Sequence, residues 1–257
     1  MKTAIITGAS SGLGRETAIQ IADRFAGIQE IWLIARRKDR LELLSAELPV
    51  PVRVFVLDLC KKEELEQLED ALKTSRPEVK FLVNAAGYGK IGPVGGVSLE
   101  AETGMVALNC EALCAVTHLV LPYMTRESRI IQFASGAAFS PQPGFAVYAA
   151  TKAFVLSYSR ALGAELKHRR IAVTAVCPGP VRTEFHQIAE STGHVPIYKR
   201  LAMADPRKVV KLAIRDSMMG KPLSIYGLPM KAFHLAGKLL PHQMILTVIE
   251  RFQNTDQ

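Results

Sequence analysis

The opening run of the chain constrains its fold most. Thr3-Ala-Ile-Ile-Thr7 has the β-branched pattern of a short strand, passes directly into Gly8-Ala-Ser-Ser-Gly12-Leu-Gly14, and gives way to a helical pattern from Arg15 to Phe25. A strand, a glycine turn and a helix in that order leave backbone N–H groups at a helix N-terminus open to close approach by a pyrophosphate. The spacing is GxxxGxG, and no lysine of the nucleoside-triphosphate type follows it. The turn therefore suits a dinucleotide better than a triphosphate, a ligand-free turn being the alternative.

The same alternation continues. Strand patterns are predicted at Lys2–Thr7, Glu30–Ala35, Val52–Leu57, Phe81–Asn84, Arg129–Phe133, Ala172–Cys177 and Leu223–Tyr226. Between them, Gly12–Phe25, Arg40–Glu47, Lys61–Ser75, Leu99–Met124, Val147–Arg169 and Pro206–Met219 have helical periodicity or composition. Strands separated by helices need crossover connections, which implies a doubly wound α/β fold: a mostly parallel seven-stranded sheet with helices on both faces. With 257 residues, 49% of them apolar, and no linker-like tract, the chain reads as one domain spanning 1–257. Residues Thr183–Met203 lack clean periodicity and suit a substrate lid.

A formal charge of +8 would suit several polyanions, but the basic residues are dispersed and no zinc-finger or RNA-binding signature occurs, so nucleic acid is not expected as a partner. The four cysteines lie in apolar stretches without a CxxC pair, and the six histidines form no HExxH-like motif, so reduced thiols and no catalytic metal are expected. The N-terminus reaches glycine and polar residues too soon for a signal peptide, and no uninterrupted apolar run approaches the roughly 18 residues of a membrane span. A cytoplasmic location is expected.

Two places carry chemistry. After the second predicted strand stands Ala35-Arg36-Arg37, where a carboxylate would accept from a ribose 2′-OH and guanidinium groups would instead take a 2′-phosphate. A solvated basic turn is the plainer alternative. Farther on, Tyr148 and Lys152 are four residues apart on one predicted helix face, a spacing that lets an ammonium stabilise a phenolate. Ser135 follows the fifth strand at the edge where open α/β sheets bind ligands. Alone, the pair could be a surface contact and the serine an ordinary turn residue.

Taken together, these motifs strongly resemble the short-chain dehydrogenase/reductase family, over Met1 to about Gly227. Thr7–Gly14, with Gly8, Ser10, Ser11, Gly12, Leu13 and Gly14, is similar to its cofactor turn; Asp58 and Leu59 are similar to its adenine contact, and Asn84-Ala85-Ala86-Gly87 to its central-strand motif. Asn109, Ser135, Tyr148 and Lys152 stand where its catalytic tetrad stands, and Pro178, Gly179, Val181 and Thr183 match the segment at the nicotinamide. The resemblance implies a Rossmann-type fold and an oxidoreductase in which Tyr148 exchanges a proton with a carbonyl or alcohol oxygen and Ser135 orients that oxygen. Lys152 would bind the nicotinamide ribose and lower the tyrosine pKa, and Asn109 would hold a water for proton relay. Arg36 and Arg37, with Ala35 in place of a frequent acid, imply NADP(H). The family pattern usually has asparagine where Ala85 stands, a change expected to affect packing or stability rather than catalysis.

The expected substrate is a ketone or aldehyde, hydrophobic in character, with a 3-oxoacyl thioester or a non-catalytic NADP(H)-sensing role as alternatives. The resemblance also implies a homodimer or homotetramer, through helices around Leu113–Leu121 and Ala149–Leu162. The tail at 228–257 reads as two short amphipathic helices, Met230–Leu240 and His242–Phe252, open to two readings: packing over the cleft or another subunit, and peripheral membrane contact.

Overall fold

A computed structural model of the chain describes residues 1–185, 189 and 203–247. Most of the predicted lid and the end of the tail lie outside the described residues. The strands are β1 (Lys2–Thr7), β2 (Glu30–Ala35), β3 (Val52–Val56), β4 (Glu78–Asn84), β5 (Met124–Phe133), β6 (Ala172–Val176) and β7 (Leu223–Ser224). They form one sheet in the order β3-β2-β1-β4-β5-β6-β7, with every pairing parallel. The chain therefore leaves β1 first toward β2 and later toward β4, opening a crevice at the C-terminal ends of these strands.

Strand residues alternate between two cores because successive side chains point to opposite faces. Ala4, Ile6, Ile31 and Leu33 pack with Ile21 of α1 (Gly12–Arg24), Leu44 of α2 (Lys38–Glu47) and Val210 of α7 (Pro206–Met218). Ile5, Trp32, Ile34 and Leu82 pack on the other face, with Leu68 of α3 (Lys62–Ser75), Val116 of α5 (Leu113–Val120) and Leu162 of α6 (Ala146–Glu165).

The predicted helix Leu99–Met124 is divided. It consists of α4 (Leu99–Val106), a π-helical turn at Ala107–Ala112, α5 and a 3₁₀ turn at Leu121–Tyr123. Leu99–Tyr123 is long and apolar enough to cross a membrane by length and composition, but Ala112, Val116 and Val120 of this stretch are core residues against the sheet. A π-helical insertion rotates side chains relative to a regular helix, and this one carries Asn109, which is fully buried. Strands β4 and β5 start earlier than predicted, through irregular register near Val79 and a left-handed Glu127 at φ 65°. Thr125-Arg-Glu-Ser128 has no apolar alternation to announce a strand.

Candidate active site

The turn after β1 is built for backbone exposure. Gly8 has φ +67°, and a Cβ there would stand 2.6 Å from the Ala86 nitrogen, so the turn can lie directly against the end of β4 only as glycine. A side chain at Gly14 would strike the Gly8 carbonyl. Thr7 ties the two strand ends together: its hydroxyl accepts from the N–H groups of Ala85 and Ala86, each at 3.2 Å. Helix α1 starts at Gly12 with no side-chain cap, leaving its first N–H groups without a side-chain acceptor. A cradle that side chains would fill, ending in an uncapped helix N-terminus, fits a pyrophosphate.

The end of β2 is cationic. The Arg37 guanidinium donates to Ser10 Oγ from Nε at 3.2 Å and from Nη2 at 3.1 Å, while Nη1 holds Glu184 Oε2 at 2.8 Å. Arg40 pairs with the other Glu184 oxygen. These two cations hold the Glu184 carboxyl below the usual carboxylate range. Arg36 is largely exposed and only 3.9 Å from Asp58 Oδ2. Arg40 and Glu184 escaped the sequence reading: Arg40 lies one helical turn beyond Arg36 and could have been sought there, but no local pattern marks Glu184.

At the C-terminal end of β5, Ser135, Tyr148 and Lys152 come together. Tyr148 and Lys152 are each 6% exposed. Ser135 Oγ accepts from the Ala137 N–H at 3.1 Å and lies near enough to the Tyr148 phenol to favour its ionised form. Lys152 Nζ donates to the Phe133 carbonyl at 2.9 Å and lies 5.6 Å from the centre of the Tyr148 ring. Asn109 reaches the group through the backbone. Its Nδ2 donates to the Tyr88 carbonyl at 2.9 Å and to Thr151 Oγ1 at 3.0 Å, and its Oδ1 accepts from the Tyr88 N–H at 3.1 Å. A Cβ on Gly87 would fall 2.8 Å from Asn109 Oδ1 and 3.3 Å from Lys152 Nζ, so glycine there lets all three close up.

Burial governs the charges in this cluster. It pushes the Tyr148 phenol up to about 12, with Ser135 pulling the other way, and brings the Lys152 ammonium down to about 8. Desolvation dominates the Tyr148 phenol in this arrangement, with the Lys152 ammonium turned to the Phe133 carbonyl. Lys152 at about 8 still carries its charge over most of its population at neutral pH.

Residues 2–192 match the family model for short chain dehydrogenase. The chain belongs to the short-chain dehydrogenase family. It is 38% identical over 187 residues to sulfoacetaldehyde reductase 2 of Chromohalobacter salexigens, covering 70% of this chain and 73% of that one. It is also 31% identical over 232 residues to a very-long-chain 3-oxoacyl-CoA reductase of Ajellomyces capsulatus, covering 87% and 65% respectively. Among solved structures, a short-chain dehydrogenase from Sphingobium yanoikuyae in complex with NADPH superposes with a TM-score of 0.79 at 28% identity, covering 96% of this chain and 95% of that one. The Rossmann-type fold expected of a short-chain dehydrogenase is the fold found.

In this short-chain dehydrogenase the tail helix α8 (Leu228–Leu239) folds back over the loop after β5. Met230 lies against Gly136 and Gly179, and a Cβ on Gly179 would stand 2.8 Å from its sulfur. Phe139 meets the rings of Phe233 and His234. Phe145 stacks on Tyr148 with ring centres 4.3 Å apart, and Phe185 approaches Tyr148 at 5.4 Å. One face of the described part of the tail thus packs on the loop after β5. Apart from the Tyr148 contacts, this apolar surround has no sequence motif.

Proposed function

We propose that the protein is an NADP(H)-dependent reductase of a ketone or aldehyde, with a hydrophobic substrate. The observation that carries this reading is the buried Tyr148–Lys152 pair with Ser135 beside it, at the same sheet edge as the glycine cradle and the Arg37 guanidinium. When bound, a nicotinamide dinucleotide supplies the hydride. The pyrophosphate would be held by the turn at Gly8, Ser10, Ser11, Gly12, Leu13 and Gly14, and a 2′-phosphate by Arg37 with Arg36. Asp58 and Leu59 would meet the adenine; Asn84, Ala85 and Gly87, with Pro178, Gly179, Val181 and Thr183, would line the path to the nicotinamide.

In reduction, Tyr148 gives its phenolic proton to the carbonyl oxygen as that oxygen gains negative charge. Ser135 turns its hydroxyl from the phenol to the same oxygen and fixes its position. The Lys152 ammonium favours the phenolate left behind, and Asn109 fixes the Tyr88 backbone next to Gly87, which lies beside the lysine. A relay water would be held at Asn109, whose side-chain amide also bonds Tyr88 and Thr151. The apolar wall of Phe145, Phe185 and Met230 supports a hydrophobic substrate.

A 3-oxoacyl thioester is the second reading, favoured by the similarity to a very-long-chain 3-oxoacyl-CoA reductase. Homo-oligomeric assembly through α5 and α6 is supported by the exposed Phe154 stacked on Tyr158. A cytoplasmic site of action agrees with four free cysteines. The test is steady-state oxidation of NADPH and of NADH against ketones, aldehydes and 3-oxoacyl thioesters. The reading expects turnover with preference for NADPH; saturable NADPH binding without turnover on any of the three classes would favour the sensing role.

A further inference from the structure

Helix α8 has two unlike faces. Met230, Phe233, His234 and Gly237 recur at helical spacing and are partly buried toward the loop after β5. The opposite stripe carries Leu228, Leu235 and Leu239, which are 80%, 56% and 69% exposed, interleaved with Lys231 and Lys238. Leu240 and Met244 extend the exposed apolar surface just beyond the helix. From Gly227 to Thr247 the sequence has no aspartate or glutamate, and among the described residues no carboxylate pairs with Lys231 or Lys238.

A second feature adjoins it. Between α7, β7 and the first turns of α8 is a cavity of about 270 Å³, lined by Arg215, Lys221, Lys231 and His234 with a single carboxylate, Asp216. That carboxylate is engaged: Lys221 donates to Oδ1 at 2.9 Å and Ser224 donates to Oδ2 at 2.8 Å. The cavity is left with a surplus of positive charge beside an exposed row of leucines.

We propose that this face of α8 docks on the surface of a bilayer containing anionic phospholipid. The leucines enter the boundary between headgroups and chains, Lys231 and Lys238 meet the headgroup layer, and the cavity takes a headgroup phosphate. The charge pattern selects this occupant over a second copy of the chain. A twofold contact through the same stripe would bring its lysines together with no acidic residue on the helix to offset them. The docked helix is the one whose other face packs against Gly136 and Gly179, so the cleft edge lies one helix away from the lipid.

The experiment is flotation of the full chain with vesicles of phosphatidylcholine alone and of an equimolar mixture with phosphatidylglycerol, at low and high salt. The protein is expected to float with the mixed vesicles, to be released by salt, and to stay behind with phosphatidylcholine alone. Lys238→Gln should weaken binding roughly fivefold. Leu235→Glu with Leu239→Glu should abolish it while preserving the circular dichroism and the unfolding midpoint, because both side chains are exposed. Failure to float with the mixed vesicles at low salt would overturn the proposal, as would undiminished flotation of the folded double variant. An oligomer that the double substitution dissociates in the absence of lipid would overturn it in favour of a second copy.

Discussion

Arg37 holds Glu184 at 2.8 Å with one guanidinium nitrogen and grips Ser10 with two others, so a carboxylate already sits on the cation assigned above to a 2′-phosphate. The pair joins the glycine turn to the segment that begins at Val181: a Cβ on Gly12 would touch Thr183 at 3.4 Å. Glu184 and a phosphate would compete for the same guanidinium. Glu184→Gln should therefore tighten NADPH binding by up to about fivefold, the scale of a partly exposed ion pair, and leave NADH nearly unchanged. Arg37→Ala should weaken NADPH by about 10- to 100-fold and NADH much less. Equilibrium titration of both dinucleotides checks each variant.

Lys152 makes the protein's stability depend on pH in a defined direction. Its folded-state value of about 8 lies below the ordinary 10.5, so between these limits the unfolded chain binds more protons and stability rises with pH. Below about 8 the cost of the buried ammonium is present in full. Lys152→Met should thus be more stable than the parent at pH 7 by about 1–2 kcal/mol after loss of the hydrogen bond to Phe133, while losing activity. The advantage should shrink as pH rises from about 8 toward 10.5. Urea unfolding of both proteins across that range measures it.

Asn109 is a clamp on the Tyr88 backbone, and its loss leaves buried polar groups of Tyr88 and Thr151 without their partner. Asn109→Leu should cost about 2–4 kcal/mol of stability and lower kcat through displacement of the Gly87–Gly89 segment. Asn109→Asp keeps the acceptor for the Tyr88 N–H but loses both amide donors, and should fall between the parent and leucine. Chemical denaturation and steady-state rates on the three proteins separate structural from kinetic effects.

The sheet was legible in the sequence because β1, β2 and β4 are short β-branched or apolar runs broken by glycine or polar turns, and their order sets the crevice. Gly8, Gly12 and Gly14, Ser135, and the four-residue spacing of Tyr148 and Lys152 were legible for the same local reason. Three features were hidden. The π-helical turn that carries Asn109 leaves an apolar run reading as continuous helix. Glu184 acquires its role only by meeting Arg37 from 147 residues away. The orientation of Lys152 toward Phe133 follows from packing around two buried polar groups, where desolvation outweighs the attraction that spacing suggests.

Tyr148 is proposed to supply the proton that accompanies hydride transfer. The decisive comparison is single-turnover oxidation of bound NADPH by an accepted carbonyl in the parent and in Tyr148→Phe. NADPH affinity should be unchanged and the rate of hydride transfer lower by about 10²–10⁴-fold in the phenylalanine variant. A rate within a few-fold of the parent would rule out Tyr148 as the proton donor.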